Sequence, residues 1–198
     1  MKVSKKILVL FAHPAIHKSR INKRLAGEIR TLEGVHFHDL YDAYPDYHVH
    51  VKKEQKLLLQ NDVIVWQHPF YWYSAPAILK EWIDLVLEHS WAYGHEGNML
   101  KGKQVFSAIS TGGGWKAYAE GGYNGFTINQ FLLPFRQTAA LCKMTYLAPF
   151  VVPGTHLLRE KDIENYALKY KQLLISIRDG IYDEKKLLDL QYLNELID

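Results

Sequence analysis

The sequence predicts an α/β protein, a doubly wound five-stranded parallel sheet in the order 2-1-3-4-5 with helices on both faces. Three observations predict it. Five short apolar runs, at 6–12, 35–40, 62–67, 104–110 and 146–152, are rich in β-branched or aromatic residues. Three of these runs are almost continuously apolar, the pattern of strands covered on both faces. Helix-periodic segments separate the runs, as the crossovers of a parallel sheet require. No repeat, low-complexity tract or linker interrupts the chain, so residues 1–198 are expected to form one domain.

The elements follow in order. "KILVLFA" is read as the first strand rather than a signal peptide: Ile7–Ala12 is too short for an apolar targeting region and no small-residue cleavage site follows. Ile21, Leu25, Ile29 and Leu32 then repeat at helical spacing, with Gly34 just past the helix end. "VHFHDL" is the second strand, and Leu57–Leu59 sit in a shorter helix. "DVIVWQ" is the third, followed by the helical stripe Ile78, Leu79, Trp82, Leu85 and Val86. "QVFSAIS" is the fourth. Residues 126–142 are expected to be helical, with Pro134 marking a break or kink. "YLAPFVV" is the fifth strand, Asp162–Arg178 closes the last unit, and about 184–196 forms an added C-terminal helix.

Composition narrows the function. Hydrophobic residues make up 48% and charged residues 23%, as in an ordinary globular protein and against disorder. A net charge of +3 without a basic stripe suits a small anionic ligand better than a nucleic acid, and no nucleic-acid partner is expected. Cys142 is the single cysteine, so no intramolecular disulfide can form. No stretch approaches the 18 or so apolar residues of a membrane span.

Three loops fall on one predicted rim, after strands one, three and four. In "HPAIHKSRIN", Ser19 stands as an N-cap, and the free amides of the following turn, Arg20, Ile21 and Asn22, make an anion site. His13, Lys18 and Arg20 can add donors, and the absence of glycine excludes dinucleotide and Walker turns. In "WQHPFYWYSAPAILKEWID", Pro69 restrains the strand exit, Ser74 can cap the next helix, and Phe70, Tyr71, Trp72 and Tyr73 put four aromatics where a connection is normally small and polar. Aromatics in a core or an interface would also read this way; four in a row at a strand end suit a planar ligand. "STGGGWKAYAEGGYNG" has six glycines in sixteen residues, which lets backbone approach a ligand closely. An anion pocket, an aromatic platform and a glycine strip together suit a flavin.

The motifs "AHP…SRIN", "WQHPFYWYS.P..LK.WID", "WAYG" and "STGGG", spread from the first strand to about residue 155, resemble those of the flavodoxin-like NAD(P)H:quinone oxidoreductases. They look most like the bacterial branch that includes ancillary subunits of glutathione-gated potassium efflux systems. The resemblance implies a bound FMN, with FAD as the alternative, NAD(P)H as co-substrate, and a quinone or similar acceptor. It implies that His13, Ser19, Arg20, Ile21 and Asn22 hold the phosphate, and that Pro69 to Tyr73 lie against the isoalloxazine. Ser110, Thr111, Gly112 and Gly113 would contact the ring and ribityl region. Tyr118 matches a tyrosine that helps handle flavin charge in the animal enzymes; Asn124 stands where those enzymes have a histidine. A homodimer with the site at its interface is implied, which would give Trp91–Tyr93 a role. So is a cytoplasmic location, peripheral at the inner face of the membrane if an efflux antiporter is the partner. A regulatory flavin-binding subunit of such an antiporter is the alternative to an enzyme.

Other chemistries fit less well. His36/His38 and His48/His50 form H-x-H pairs, but no acidic or cysteine co-ligand has a recognisable spacing, and no metal is expected. Cys142 lies at an apolar helix end, where cysteines are inert. A flavodoxin shuttle would be acidic, and this chain is not.

Overall fold

The computed structural model describes residues 4–197; Met1–Val3 and Asp198 of the expected unit lie outside the described residues. Strand β1 (Ile7–Phe11) lies between β2 (Val35–Asp39) and β3 (Val63–Pro69), and β4 (Gln104–Ser110) pairs with β3. All of these pairs are parallel. The outer strand comes in two pieces, β5 (Thr145–Tyr146) and β6 (Phe150–Val152), both paired with β4. The order β2-β1-β3-β4-β5 is the expected one. The single strand expected over 146–152 is interrupted at Leu147–Pro149. Leu147 N–H still reaches the Val105 carbonyl at 2.8 Å, but Pro149 has no N–H for the ladder, and its carbonyl accepts from Leu193 at 3.0 Å instead.

The alternation of the strands divides the core. Ile7, Val9, Val63, Val65 and Phe106 face α1 (Arg20–Ile29) and α7 (Glu160–Arg178). Leu8, Leu10, Ile64, Trp66 and Val105 face α3 (Val51–Leu59), α4 (Ala77–Val86) and α6 (Leu133–Leu141). A short α2 (Leu40–Ala43) joins β2 to α3. Gly34 follows α1 at φ +77°, a left-handed position that glycine takes without a Cβ clash. Beneath the second layer, the Glu54 carboxylate is wholly buried. It accepts from Tyr44 Oη at 2.6 Å and Trp82 Nε1 at 2.8 Å, and pairs with His38 Nε2 at 3.0 Å. Burial pushes this carboxyl up, but those bonds outweigh it and hold it below the usual range.

Several boundaries differ from expectation. The helix over 126–142 is two pieces, α5 (Ile128–Phe131) and α6; the break falls at Leu132, which places Pro134 in the first turn of α6, where its missing N–H leaves no gap. Leu85 is exposed rather than part of the α4 stripe. Ser74 does not cap α4; the helix starts at Ala77, which puts Pro76 in that position without a side-chain bond, and Ser74 N–H closes a turn onto Tyr71. The helix expected over about 184–196 is α8 (Glu184–Asp189) followed by a 3-10 turn at Leu193–Leu196. The intervening extended residues let Asn194 bond both the N–H and the C=O of Val151, each at 2.9 Å, closing the free edge of β6.

Candidate cofactor site

The carboxyl ends of β1, β3 and β4 bring the three loops to one rim, at the point where the strand order reverses. Ser19 caps α1: its Oγ accepts from Asn22 N–H at 3.0 Å. Among the described residues the Arg20 and Ile21 amides of that helix start have no intramolecular acceptor. They border a cavity of about 500 Å³ lined also by His13, Lys18, Ser19, Asn22, Pro69, Phe70, Tyr71, Ser110 and Gly112. His13 Nδ1 accepts from Ala15 N–H at 3.1 Å, and burial lowers its pKa. The neutral ring therefore carries its proton on Nε2, a donor for the cavity. The Arg20 guanidinium bonds Glu160 Oε1 at 2.6 Å and the Leu158 carbonyl at 3.2 Å. Its side chain thus braces the segment after β6, while the residue also borders the cavity.

The aromatic run does not act as one platform. Phe70 is 8% exposed and belongs to the core, whereas Tyr71 is 44% and Trp72 93% exposed. Tyr71 to Ser74 form a tight turn in which Trp72 and Tyr73 have φ of +49° and +62°. Left-handed backbone costs roughly 1–2 kcal/mol for each such residue. Among the described residues the Trp72 and Tyr73 amides have no intramolecular acceptor. Tyr73 stacks on Phe131 at 4.9 Å, and Phe70 meets Tyr118 and Phe131 edge-on.

The third loop closes the ring end. Ser110 Oγ accepts from the Asn22 side-chain amide at 2.9 Å. Thr111 is buried, with its hydroxyl on the Gly113 carbonyl at 2.7 Å. A Cβ on Gly113 would stand 3.0 Å from the Tyr118 ring, so glycine here is what lets that ring lie against the backbone. Tyr118 and Asn124 are brought together: Asn124 N–H bonds the Ala117 carbonyl at 3.0 Å, its Oδ1 accepts from Tyr73 Oη at 3.4 Å, and its side chain stands beside the Tyr118 phenol. Burial, with Tyr73 beside it, pushes the Tyr118 phenol up, and the Asn124 bond partly opposes the shift. A second cavity of about 290 Å³, lined by Phe70, Trp72, Tyr73, Gly112, Gly113, Tyr118, Tyr123 and Asn124, shares Phe70 and Gly112 with the first.

Three residues on these cavities carried no sequence signal. Thr155 and His156, in the loop after β6, wall the first cavity, and Phe131 on α5 backs the second through its stack with Tyr73. They come from the fifth βα connection and from a helix, both outside the three conspicuous loops. One histidine of each pair has a structural partner: His38 pairs with Glu54, and His50 Nδ1 caps α3 by accepting from Lys53 N–H. Cys142 is buried, which pushes its thiol up to about 11. A groove at the opposite end of the strands, between Lys5, Asp62 and Gln104, lies far from these loops along the strand direction.

Comparison with known proteins agrees with the architecture. The family model for the flavodoxin-like fold matches residues 5–174. Among solved structures, general stress protein 14 from Treponema denticola, in complex with FMN, is 35% identical with a TM-score of 0.83 over 87% of this chain and 99% of that one. An NADPH-quinone reductase from P. pentosaceus is 34% identical with a TM-score of 0.77, covering 84% and 96%. A thermophilic tryptophan halogenase from Streptomycin violaceusniger is 39% identical with a TM-score of 0.81, covering 83% and 96%. Three differently described relatives at similar identity share the fold, so the reaction has to be argued from the site.

Proposed function

The chain belongs to the flavodoxin-like fold family, and from that premise we propose that it is an FMN-dependent oxidoreductase, which takes a hydride from NAD(P)H and delivers two electrons to a quinone or similar acceptor. The observation that carries this is the pairing of two adjoining cavities, one with helix-start amides and one with aromatic walls and free turn amides. The donor set fits FMN. The unpaired Arg20 and Ile21 amides, Lys18 and His13 Nε2 suit a phosphate dianion. The Trp72 and Tyr73 amides suit the polar edge of a flat ring, and Gly113 leaves room for the Tyr118 ring that walls the second cavity. The FMN in the Treponema relative supports this cofactor; nothing comparable supports FAD.

When bound, FMN supplies the two-electron, hydride-accepting chemistry. The chain's own part is to hold and polarise. Ser19–Asn22 and His13 would hold the phosphate end, with Ser110 to Gly113 along the ribityl side. Pro69 to Tyr73 would exclude water from one edge and direct amide donors at it, a fixed electrostatic field for charge that develops there. The Tyr118 phenol, kept protonated by burial, is a hydrogen-bond donor poised at the ring end, with Asn124 orienting it. The net reaction balances as NAD(P)H, a proton and a quinone giving NAD(P)⁺ and a hydroquinone.

The exposed rings of Trp72 and Tyr123, 93% and 95% open, support a homodimer that covers this rim. Residues 1–198 are taken as one unit, located in the cytoplasm. The finer relationship, to ancillary subunits of potassium efflux antiporters, rests on the sequence motifs. Among the described residues no helix is long and apolar enough to cross a membrane, so attachment to an antiporter's cytosolic face would be a protein contact. The deciding experiment is an anaerobic visible spectrum of the flavin-supplemented protein before and after NADPH. Flavin bands that bleach promptly support the enzyme. Bands that persist favour a flavin-binding regulator, and the absence of retained flavin overturns both.

A further inference from the structure

Pro69 ends β3, and its carbonyl accepts two hydrogen bonds. Tyr71 N–H donates at 3.0 Å, closing a three-residue turn around Phe70, and His68 Nδ1 stands at 3.0 Å from the same oxygen. Phe70 N–H is in turn tied to the Ser110 carbonyl at 2.8 Å. From this fixed point the chain enters the Tyr71–Ser74 turn with its two left-handed aromatic residues. Such backbone persists only where its surroundings over-determine it.

His68 itself is wholly buried and stacks on Phe135 at 5.8 Å. Because Nδ1 faces a carbonyl, Nδ1 carries the proton and Nε2 is bare. Among the described residues that Nε2 has no hydrogen-bond partner. A phenyl ring would fill the same space without stranding a buried nitrogen. What distinguishes the imidazole from such a ring is the Nδ1–H bond to Pro69. Burial lowers the His68 pKa to about 4, so the ring is neutral at ordinary pH and keeps this single-donor form.

We propose that His68 is a positioning residue for the ring end of the site: its Nδ1–H clamps the Pro69 carbonyl, and the clamp holds the strained turn that presents the Trp72 and Tyr73 amides unpaired at the second cavity. What those amides meet rests on the flavin reading; the clamp does not.

The test uses two substitutions that separate donor from volume. His68→Asn places an amide nitrogen near the Nδ1 position, and His68→Phe keeps a ring without the donor. Hydrogen exchange of the flavin-free protein reads the clamp directly, with β1 as the internal reference. Exchange at the Tyr71 and Ser74 amides should rise about tenfold in His68→Phe, the worth of one hydrogen bond, and stay near wild type in His68→Asn. FMN affinity, titrated by fluorescence, should follow the same order. His68→Gln, whose amide reaches only the Nε2 position, is the second donor-less variant should the phenyl variant not fold. Unchanged exchange in the donor-less variant, or His68→Asn behaving like it, overturns the proposal. A wild type that takes up no FMN overturns the flavin reading and leaves the exchange result to decide the clamp.

Discussion

The Asn22 side-chain amide donates to the Ser110 hydroxyl at 2.9 Å inside the protein, across 88 residues of sequence. It ties the start of α1 to the end of β4, so the loop that would hold a phosphate and the loop that would hold a ring move as one piece. Ser110→Ala leaves that buried amide unpaired. It should destabilise the protein by about 1–3 kcal/mol in urea unfolding and weaken FMN binding measured by equilibrium titration.

Phe70 and Tyr71 are neighbours with different tasks. Phe70→Ala opens the core under the rim and should cost about 3–5 kcal/mol. Tyr71→Ala removes a half-exposed ring and should cost no more than about 1 kcal/mol, while loosening FMN roughly three- to tenfold. Denaturation and flavin titration run side by side separate the two; stability losses of equal size would make the aromatic run packing alone.

Tyr118 supplies a protonated phenol beside the ring end. In Tyr118→Phe the NADPH-dependent step, followed by stopped flow, should slow by roughly tenfold. This is less than the hundredfold usual for a general acid or base, because its partner is the neutral Asn124 amide. An unchanged rate with weaker flavin binding would assign the residue to packing.

His68 makes stability depend on pH. Its folded pKa is lowered to about 4 from an ordinary 6.5, so between those values the unfolded chain binds a proton that the folded one does not. Stability should fall as pH drops from 6.5 towards 4, by about 3 kcal/mol from this residue, and the contribution should level off below 4. Thermal melts across that range should show a shallower slope in His68→Phe. The lowered His13 and His36 pKa values act in the same direction and keep the remaining slope above zero.

Asn194 replaces a neighbouring strand for β6. Asn194→Ala removes both of its bonds to Val151 and leaves a buried N–H and C=O unpaired, with an expected cost of about 2–4 kcal/mol in chemical unfolding. The C-terminal segment also steadies the third loop, through Trp115 on Tyr192 at 4.6 Å, and α5, whose Asn129 side-chain amide donates to the Gln191 carbonyl at 3.1 Å. A melt that does not move would reduce the segment to an appendage.

Much of the framework was legible in the residue pattern because it rests on local chemistry. Continuous apolar runs and helical stripes located the strands and the main helices, since burial on two faces or on one leaves a direct imprint on sequence. Ser19 read correctly as a cap because capping is decided within a single turn. Contacts between distant groups left no such imprint. Ser74 reads as a cap, but the helix starts at Ala77 and puts Pro76 in that position; Arg20 reads as an anion donor, and the sequence did not show that its guanidinium also bonds Glu160 and Leu158, some 140 residues away.

The sequence by itself determined the parallel sheet, the three loops on one rim, and the residue types suited to an anion and a flat ring. Only the tertiary structure decided what each side chain is free to do. It sent Phe70 into the core while leaving Trp72 in solvent, and gave His38 and His50 structural partners. It also split the last strand and the last helix so that Asn194 could close a sheet edge. The physical reason is that strand and helix preferences depend on neighbours a few residues away. A buried hydrogen bond depends on which distant group arrives first within about 3 Å of it, and that is set by the packing of the whole fold.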